Sequence, residues 1–216
     1  MKALYILFAG CLLFTACTKN SEGVITQVVT PQYPKITMKG GPNVVFPIGG
    51  TYTDPGATSF DSAANKTTDL TPVSQNVNTA EGGVYTVNYH AVNSYGYQTN
   101  ATRHVLISNY ADAADDISGT YKRSTNGVEI TVTKVATGLY VVENPGGVAN
   151  DPNFVFPFYI GFLDRNTFVG TEQNTPLGAM SFKNTSIIRG PGSAVTLKWV
   201  VINNSFGTSV RTFNKE

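Results

Sequence analysis

Between Gly83 and Val92 the chain reads GVYTVNYHAV, and no other stretch limits the fold more. Tyr85, Val87, Tyr89 and Ala91 recur at a period of two on one face, while Thr86, Asn88 and His90 fall on the other. A helix would scatter these rings around its circumference, so the pattern requires a half-buried strand. NSYGY supplies turn residues and TNATRHVLIS returns as a second strand. Alternation recurs towards the C-terminus. VEITVTKVATGLYVVEN reads as a hairpin across VATG, with Val128, Ile130 and Val132 on one face. NFVFPFYIGFL, TFVGTEQ, GAMSFKNTSIIRG, AVTLKWVVIN and TSVRTFNK follow, joined by the turn-rich segments DRNT, GPGS and NNSFG, which favour antiparallel neighbours. Helical periodicity is almost absent, so an all-β chain is expected. Residues 34–110 form one module, and 118–216 form a second antiparallel β domain, a meander of about eight strands closing into a sandwich or small barrel. Near YPKITMKG a first edge strand is expected, because Pro31 and Pro34 rule out a central one. Between the modules, 111–117 are small and acidic and read as a linker about which the halves move.

Both cysteines, Cys11 and Cys17, lie in the first seventeen residues. Met1-Lys2 gives a positive end, and LYILFAGCLLF is an apolar run too short to span a bilayer, which needs ~20 residues. FTAC then resembles a lipobox, with Phe14 where Leu is usual. Residues 1–16 are read as a lipoprotein signal peptide, Cys17 as the acylated mature N-terminus, and 17–33 as a lipidated tether. The acyl chains would anchor the protein to the bilayer, at the outer membrane on its surface or periplasmic face. The body then holds no thiol, which excludes a disulfide framework and a cysteine metal site. Loss of Lys2 brings 15 basic residues level with 14 acidic ones, and no Lys/Arg cluster exists, so nucleic acid is excluded as a partner.

GGTYTDPGATSFD, VNTAEGGVYTVNYHAVNSYGY and ATRHVLIS together resemble a bacterial immunoglobulin-like domain of Bacteroidetes lipoproteins. The whole chain resembles a Bacteroidetes lipoprotein family: lipobox, short tether, N-terminal Ig-like domain, then a C-terminal β domain opened by DISGTYKR. The resemblance implies an Ig-like β-sandwich in the cell envelope and carries over no catalytic residues. Gly83 and Tyr85 fit a tyrosine corner, in which the phenol bonds to backbone upstream; Val87 stands where an antibody domain would have its cysteine.

The sequence holds no H-E-x-x-H, G-x-S-x-G, Gly-rich phosphate loop or C-x-x-C. His90 and His104 are the two candidate bases, and they read as solvent-facing strand residues that the hairpin register does not place opposite each other. Asp112, Asp115 and Asp116, with Asp151 nearby, read as a solvated hinge rather than a Ca²⁺ site, and Asp54 as the cap of the Pro55-Gly56 turn. No metal, cofactor or catalytic residue is expected. Aromatic residues carry the binding expectation. Phe154, Phe156 and Phe158 share a buried face, and Trp199 alternates with core residues. Tyr159 has the opposite parity and is expected to face out beside Asn150, Asp151 and Asn153 of the loop 144–153; Tyr95 and Tyr97 stand next in line. The expected function is a non-enzymatic lipoprotein that binds glycan, a partner or outer-membrane uptake proteins. A structural spacer or adhesive protein, and a carrier of a small apolar ligand in the C-terminal domain, are the alternatives.

Overall fold

The computed structural model describes residues 30–149 and 151–216. The expected leader 1–16, the expected acylation site Cys17, most of the expected tether and Asn150 lie outside the described residues. Two sheets make the N-terminal half. Strands β1 (Lys35–Met38), β3 (Ala57–Asp61) and β4 (Lys66–Leu70) form one, in the order β1-β3-β4. Strands β2 (Asn43–Phe46), β5 (Ser74–Gln75), β6 (Gly83–Val92) and β7 (Gln98–Ile107) form the other, in the order β2-β7-β6-β5. β1 is an edge strand, as its flanking prolines require. β2 runs parallel to β7, and every other pairing in the sandwich is antiparallel.

The alternation in β6 settles its orientation. Tyr85, Val87 and Tyr89 enter the sandwich core with Ala57, Val105 and Ile107, all buried. Asn93 shapes the β6–β7 turn by accepting from the Tyr95 and Tyr97 N–H groups at 3.1 and 2.9 Å. The Tyr85 hydroxyl donates to the Glu81 carbonyl at 3.1 Å, which is the expected corner bond.

The centre of the sandwich is polar. Asp54 accepts the Gly56 N–H at 2.7 Å, closing the DPG turn, and also the hydroxyls of Tyr52 and Tyr89 and the guanidinium of Arg103. Arg103 has no solvent exposure. Its remaining donors reach the carbonyls of Lys39 at 2.6 Å, Gly41 at 3.1 Å and Gly56 at 3.1 Å, tying β7 to the β1–β2 connection and the DPG turn. Burial opposes the charge on Asp54, but the bonds from Tyr89, Tyr52 and Arg103 outweigh it and hold the carboxyl below its ordinary range.

The C-terminal half is one curled sheet. Its strands are β8 (Gly119–Arg123), β9 (Glu129–Ala136), β10 (Leu139–Glu143), β11 (Pro157–Phe162), β12 (Phe168–Val169), β13 (Gln173–Thr175), β14 (Gly178–Arg189), β15 (Val195–Ile202) and β16 (Arg211–Lys215). They run in the order β12-β11-β10-β9-β8-β16-β15-β14-β13, so two meanders, β8 to β12 and β13 to β16, are joined by β16 pairing with β8, and β12 and β13 stand at the edges. β9 and β10 meet across Thr137-Gly138, where Gly138 adopts φ +71°, open to glycine at little cost. The Phe182 N–H donates to Gly170 O at 2.8 Å and the Ile187 N–H to Asn166 O at 2.7 Å, linking β14 to the segments flanking β12. The sheet thereby curls towards a barrel.

Four rings fill its interior in a column. Phe158 stacks on Phe182 at 4.3 Å, Phe182 on Trp199 at 5.1 Å, and Trp199 on Phe213 at 4.4 Å. The loop Asn144–Gly147 is buried, with Gly147 against Phe213 and Gly146 against Phe206. Trp199 Nε1 donates to Pro145 O at 2.9 Å, Arg211 Nε to Gly146 O at 3.0 Å, and Arg123 Nη1 to Gly147 O at 3.1 Å.

The hinge expected at 111–117 is a fastened strap. Ile117 has no exposure, and Tyr121 Oη donates to its carbonyl at 2.6 Å. Asp115 accepts from Tyr110 and pairs with Arg189, while Lys134 Nζ reaches Ala113 O at 2.8 Å. From Gln32 onward the described chain forms one unit. Reading the segment as uniformly small and acidic overlooked Ile117, the apolar residue that pins it.

Candidate functional site

The outer face of the β6–β7 pair carries the residues that alternation keeps out of the sandwich core. Reading up the pair, Val84 lies opposite Leu106, Thr86 opposite His104, Asn88 opposite Thr102, and His90 opposite Asn100. The face is therefore apolar at one end and polar beyond it. The apolar end docks on the C-terminal half. Val84 and Leu106 are fully buried against Leu139, with Val135, Ala136 and Tyr159 around them. Gly161 of β11 is where they land, since a Cβ there would overlap the Leu106 side chain. Burying a Val or Leu side chain contributes ~1.5–3 kcal/mol. The Val84 N–H donates to Thr171 Oγ1 at 2.8 Å, and Ser108 Oγ to Phe162 O at 2.5 Å.

Where the apolar contact ends, the imidazole of His104 stacks on the ring of Tyr159, with centroids 3.4 Å apart and planes 14° from parallel. Beyond the stack the two halves diverge and leave a cleft of about 410 Å³. The sandwich contributes Asn76, Thr86, Asn88, Thr102 and His104 to its wall. Across from them stand Pro157, Tyr159, Glu172, Gln173 and Asn174. The volume falls within the ~300–1,000 Å³ usual for small-ligand sites.

Local bonds fix much of this lining. Asn76 Oδ1 accepts the Thr86 N–H at 2.7 Å, and Thr102 Oγ1 donates to Asn88 Oδ1 at 2.9 Å. Gln173 acts as a substitute strand: its Oε1 accepts the Tyr159 N–H at 3.0 Å and its Nε2 donates to Tyr159 O at 2.7 Å. Glu172 and Asn174 on either side are exposed. Burial lowers the His104 pKa from 6.5 to about 4, so the ring is neutral at neutral pH. Burial, reinforced by the charge of Glu143, raises that of Tyr159. The cleft thus offers amides, hydroxyls, one ring pair and one carboxylate, and among the described residues no lysine or arginine lines it.

The expected binding residues are dispersed. Tyr159 does leave the core of its own sheet, as its parity requires, yet the outward face is covered by the sandwich, so it is half-buried rather than an exposed platform. Asp151 and Asn153 are spent on a short 3-10 turn, Pro152–Phe154, in which Asp151 Oδ1 accepts the Asn153 N–H at 2.9 Å. Phe154 belongs to that turn and meets Phe206 edge-on, apart from the buried Phe156, just before β11, and the buried Phe158 within it. Tyr95 is 73% exposed at the β6–β7 turn, and Tyr97 meets Tyr33 with centroids 5.3 Å apart. His90 and His104 are not opposite each other; His90 bonds Asn100 at 2.8 Å, but His104 is covered rather than solvent-facing. Asp112 and Asp116 cap local turns, accepting from Ala114 and Ser118. The cleft residues Thr86 and Asn88 were visible as the polar side of an alternating strand. Nothing in one strand indicates that a second domain stands over that side.

Residues 36–107 match the family described as bacterial surface protein, Ig-like domain. Among solved structures, a lipoprotein from Bacteroides thetaiotaomicron aligns at 19% identity and a TM-score of 0.35, covering 85% of this chain and 100% of that one. No curated protein matches the chain.

Proposed function

We propose that the chain is a non-enzymatic cell-envelope lipoprotein, held to the outer membrane by acylated Cys17, that binds glycan in the cleft between its two halves. The observation that carries this reading is the lining. Planar amides and hydroxyls both donate and accept, as a polyhydroxylated ligand requires, and the Tyr159 ring gives an apolar edge beside them. The match of residues 36–107 to a bacterial surface Ig-like domain supports the location. Stacking by Tyr159 and the lowered pKa of His104 fit a wall residue better than a catalytic base. The aromatic column occupies the space that an apolar-ligand carrier would need.

The test is a glycan microarray probed with the wild type and with Asn88→Ala and Asn174→Ala. Binding that both substitutions weaken supports the reading. A wild type that binds no glycan while remaining folded would leave the spacer reading in its place. Metabolic labelling with an alkyne fatty acid should tag the wild type and not Cys17→Ala.

A further inference from the structure

We infer that the cleft selects uncharged glycans over acidic ones, with Glu172 as the specificity-determining residue; this rests on the glycan reading above. Among the described residues the wall holds no lysine or arginine: its ionisable members are His104, neutral through burial, Tyr159, pushed further from ionising, and the acidic residue Glu172. Glu143 adds a second negative charge close enough to raise Tyr159. A uronate, sulfate or phosphate group entering here would lose hydration and meet like charge, with no cation among the described wall residues to receive it. A neutral sugar meets no such penalty.

Glu172 suits it for a positive reason as well. The residue lies between β12 and β13, exposed at the rim, and no side-chain hydrogen bond within the described chain engages it. An ionised carboxylate is acceptor-only, and its two oxygens can take the hydroxyls of a vicinal diol together. Its neighbour Gln173 is held to the Tyr159 backbone by two bonds, which anchors this stretch of the rim against β11.

Affinity electrophoresis tests this with named polymers: a soluble β-glucan, a mannan and starch as neutral probes, polygalacturonate and chondroitin sulfate as acidic ones. The wild type should be retarded by at least one neutral polymer and by neither acidic one. Glu172→Gln should weaken the neutral interaction at least fivefold, and Glu172→Lys should abolish it and admit an acidic polymer. Because Glu172 is exposed, both variants should keep the wild-type melting temperature. Retardation by an acidic polymer as strong as by any neutral one overturns the selectivity while leaving the glycan reading standing. Neutral binding unchanged in Glu172→Gln and Glu172→Lys, but lost in Tyr95→Ala, removes both from this cleft. No retardation by any polymer, with an empty microarray, overturns the glycan reading and this inference with it.

Discussion

Arg103 occupies the middle of the sandwich and Trp199 the middle of the C-terminal sheet, each without solvent exposure, and the two cores work by opposite chemistry. Around Arg103 every bond is polar: one carboxylate, one phenol and three backbone carbonyls. Around Trp199 the neighbours are rings, stacked or edge-on, with a single hydrogen bond from the indole N–H. An ion pair in a core depends on completeness, since losing one partner leaves the other buried and uncompensated. A ring column depends on area and shape, so its loss scales with what is removed. The polar centre of the sandwich should therefore respond to single polar changes and be repairable by a second one, while the ring column of the C-terminal sheet should respond to the volume removed.

The largest effects separate the two. Arg103→Leu should cost ~3–5 kcal/mol by stranding Asp54, and Trp199→Ala ~3–5 kcal/mol by opening a cavity. Adding Asp54→Asn should recover a substantial part of the first loss and none of the second, as read from denaturant midpoints. Equal behaviour of the two double variants would erase the distinction.

Acid should act next, and on the sandwich side of the junction. The folded His104 pKa, about 4, lies below its ordinary 6.5, so the unfolded chain takes up the proton first. The stability that His104 contributes is complete above pH 6.5 and is lost as pH falls towards 4. Asp54 is lowered too, and its contribution disappears at still lower pH, below the ordinary carboxylate range. The denaturation midpoint should fall between pH 7 and pH 4.5 in the wild type. His104→Gln should flatten that slope.

The smallest effects come from a feature the halves share. EGGVY and ISGTY each place a tyrosine four residues after the carbonyl it bonds, from Tyr85 to Glu81 and from Tyr121 to Ile117. Ile117 is buried and Glu81 exposed. Tyr121→Phe should leave a buried acceptor unsatisfied and cost ~1–3 kcal/mol, whereas water can replace the phenol in Tyr85→Phe, which should cost ~0.5–1.5 kcal/mol. Equal losses would mean that the burial difference is not what matters.

Sequence reasoning reached what a single strand determines. The face of β6, the Tyr85 corner, the edge position of β1, the turn role of Asp54 and the core placement of Trp199 all follow from parity or turn chemistry within a few residues. It did not reach what two distant segments decide together. Arg103 is a core residue only because Asp54 and Tyr52 from the β2–β3 connection and Tyr89 from β6 converge on it. His104 and Tyr159 were both assigned to solvent by correct parity, and each covers the other. Glu172, Gln173 and Asn174 carry no local signal, since their place in a wall depends on the docking of Val84 and Leu106 on Gly161. The second tyrosine corner was legible in ISGTY and passed unread.

A cleft with one wall on each half needs the two halves to form one body. Spin labels at Asn100→Cys on the sandwich and Asn174→Cys opposite, in protein lacking other free thiols, allow the separation to be read by pulsed electron resonance. A single narrow distance distribution in the wild-type background, broadened by Gly161→Val, is the predicted result. A broad or bimodal distribution in the wild-type background, unchanged by Gly161→Val, would contradict it.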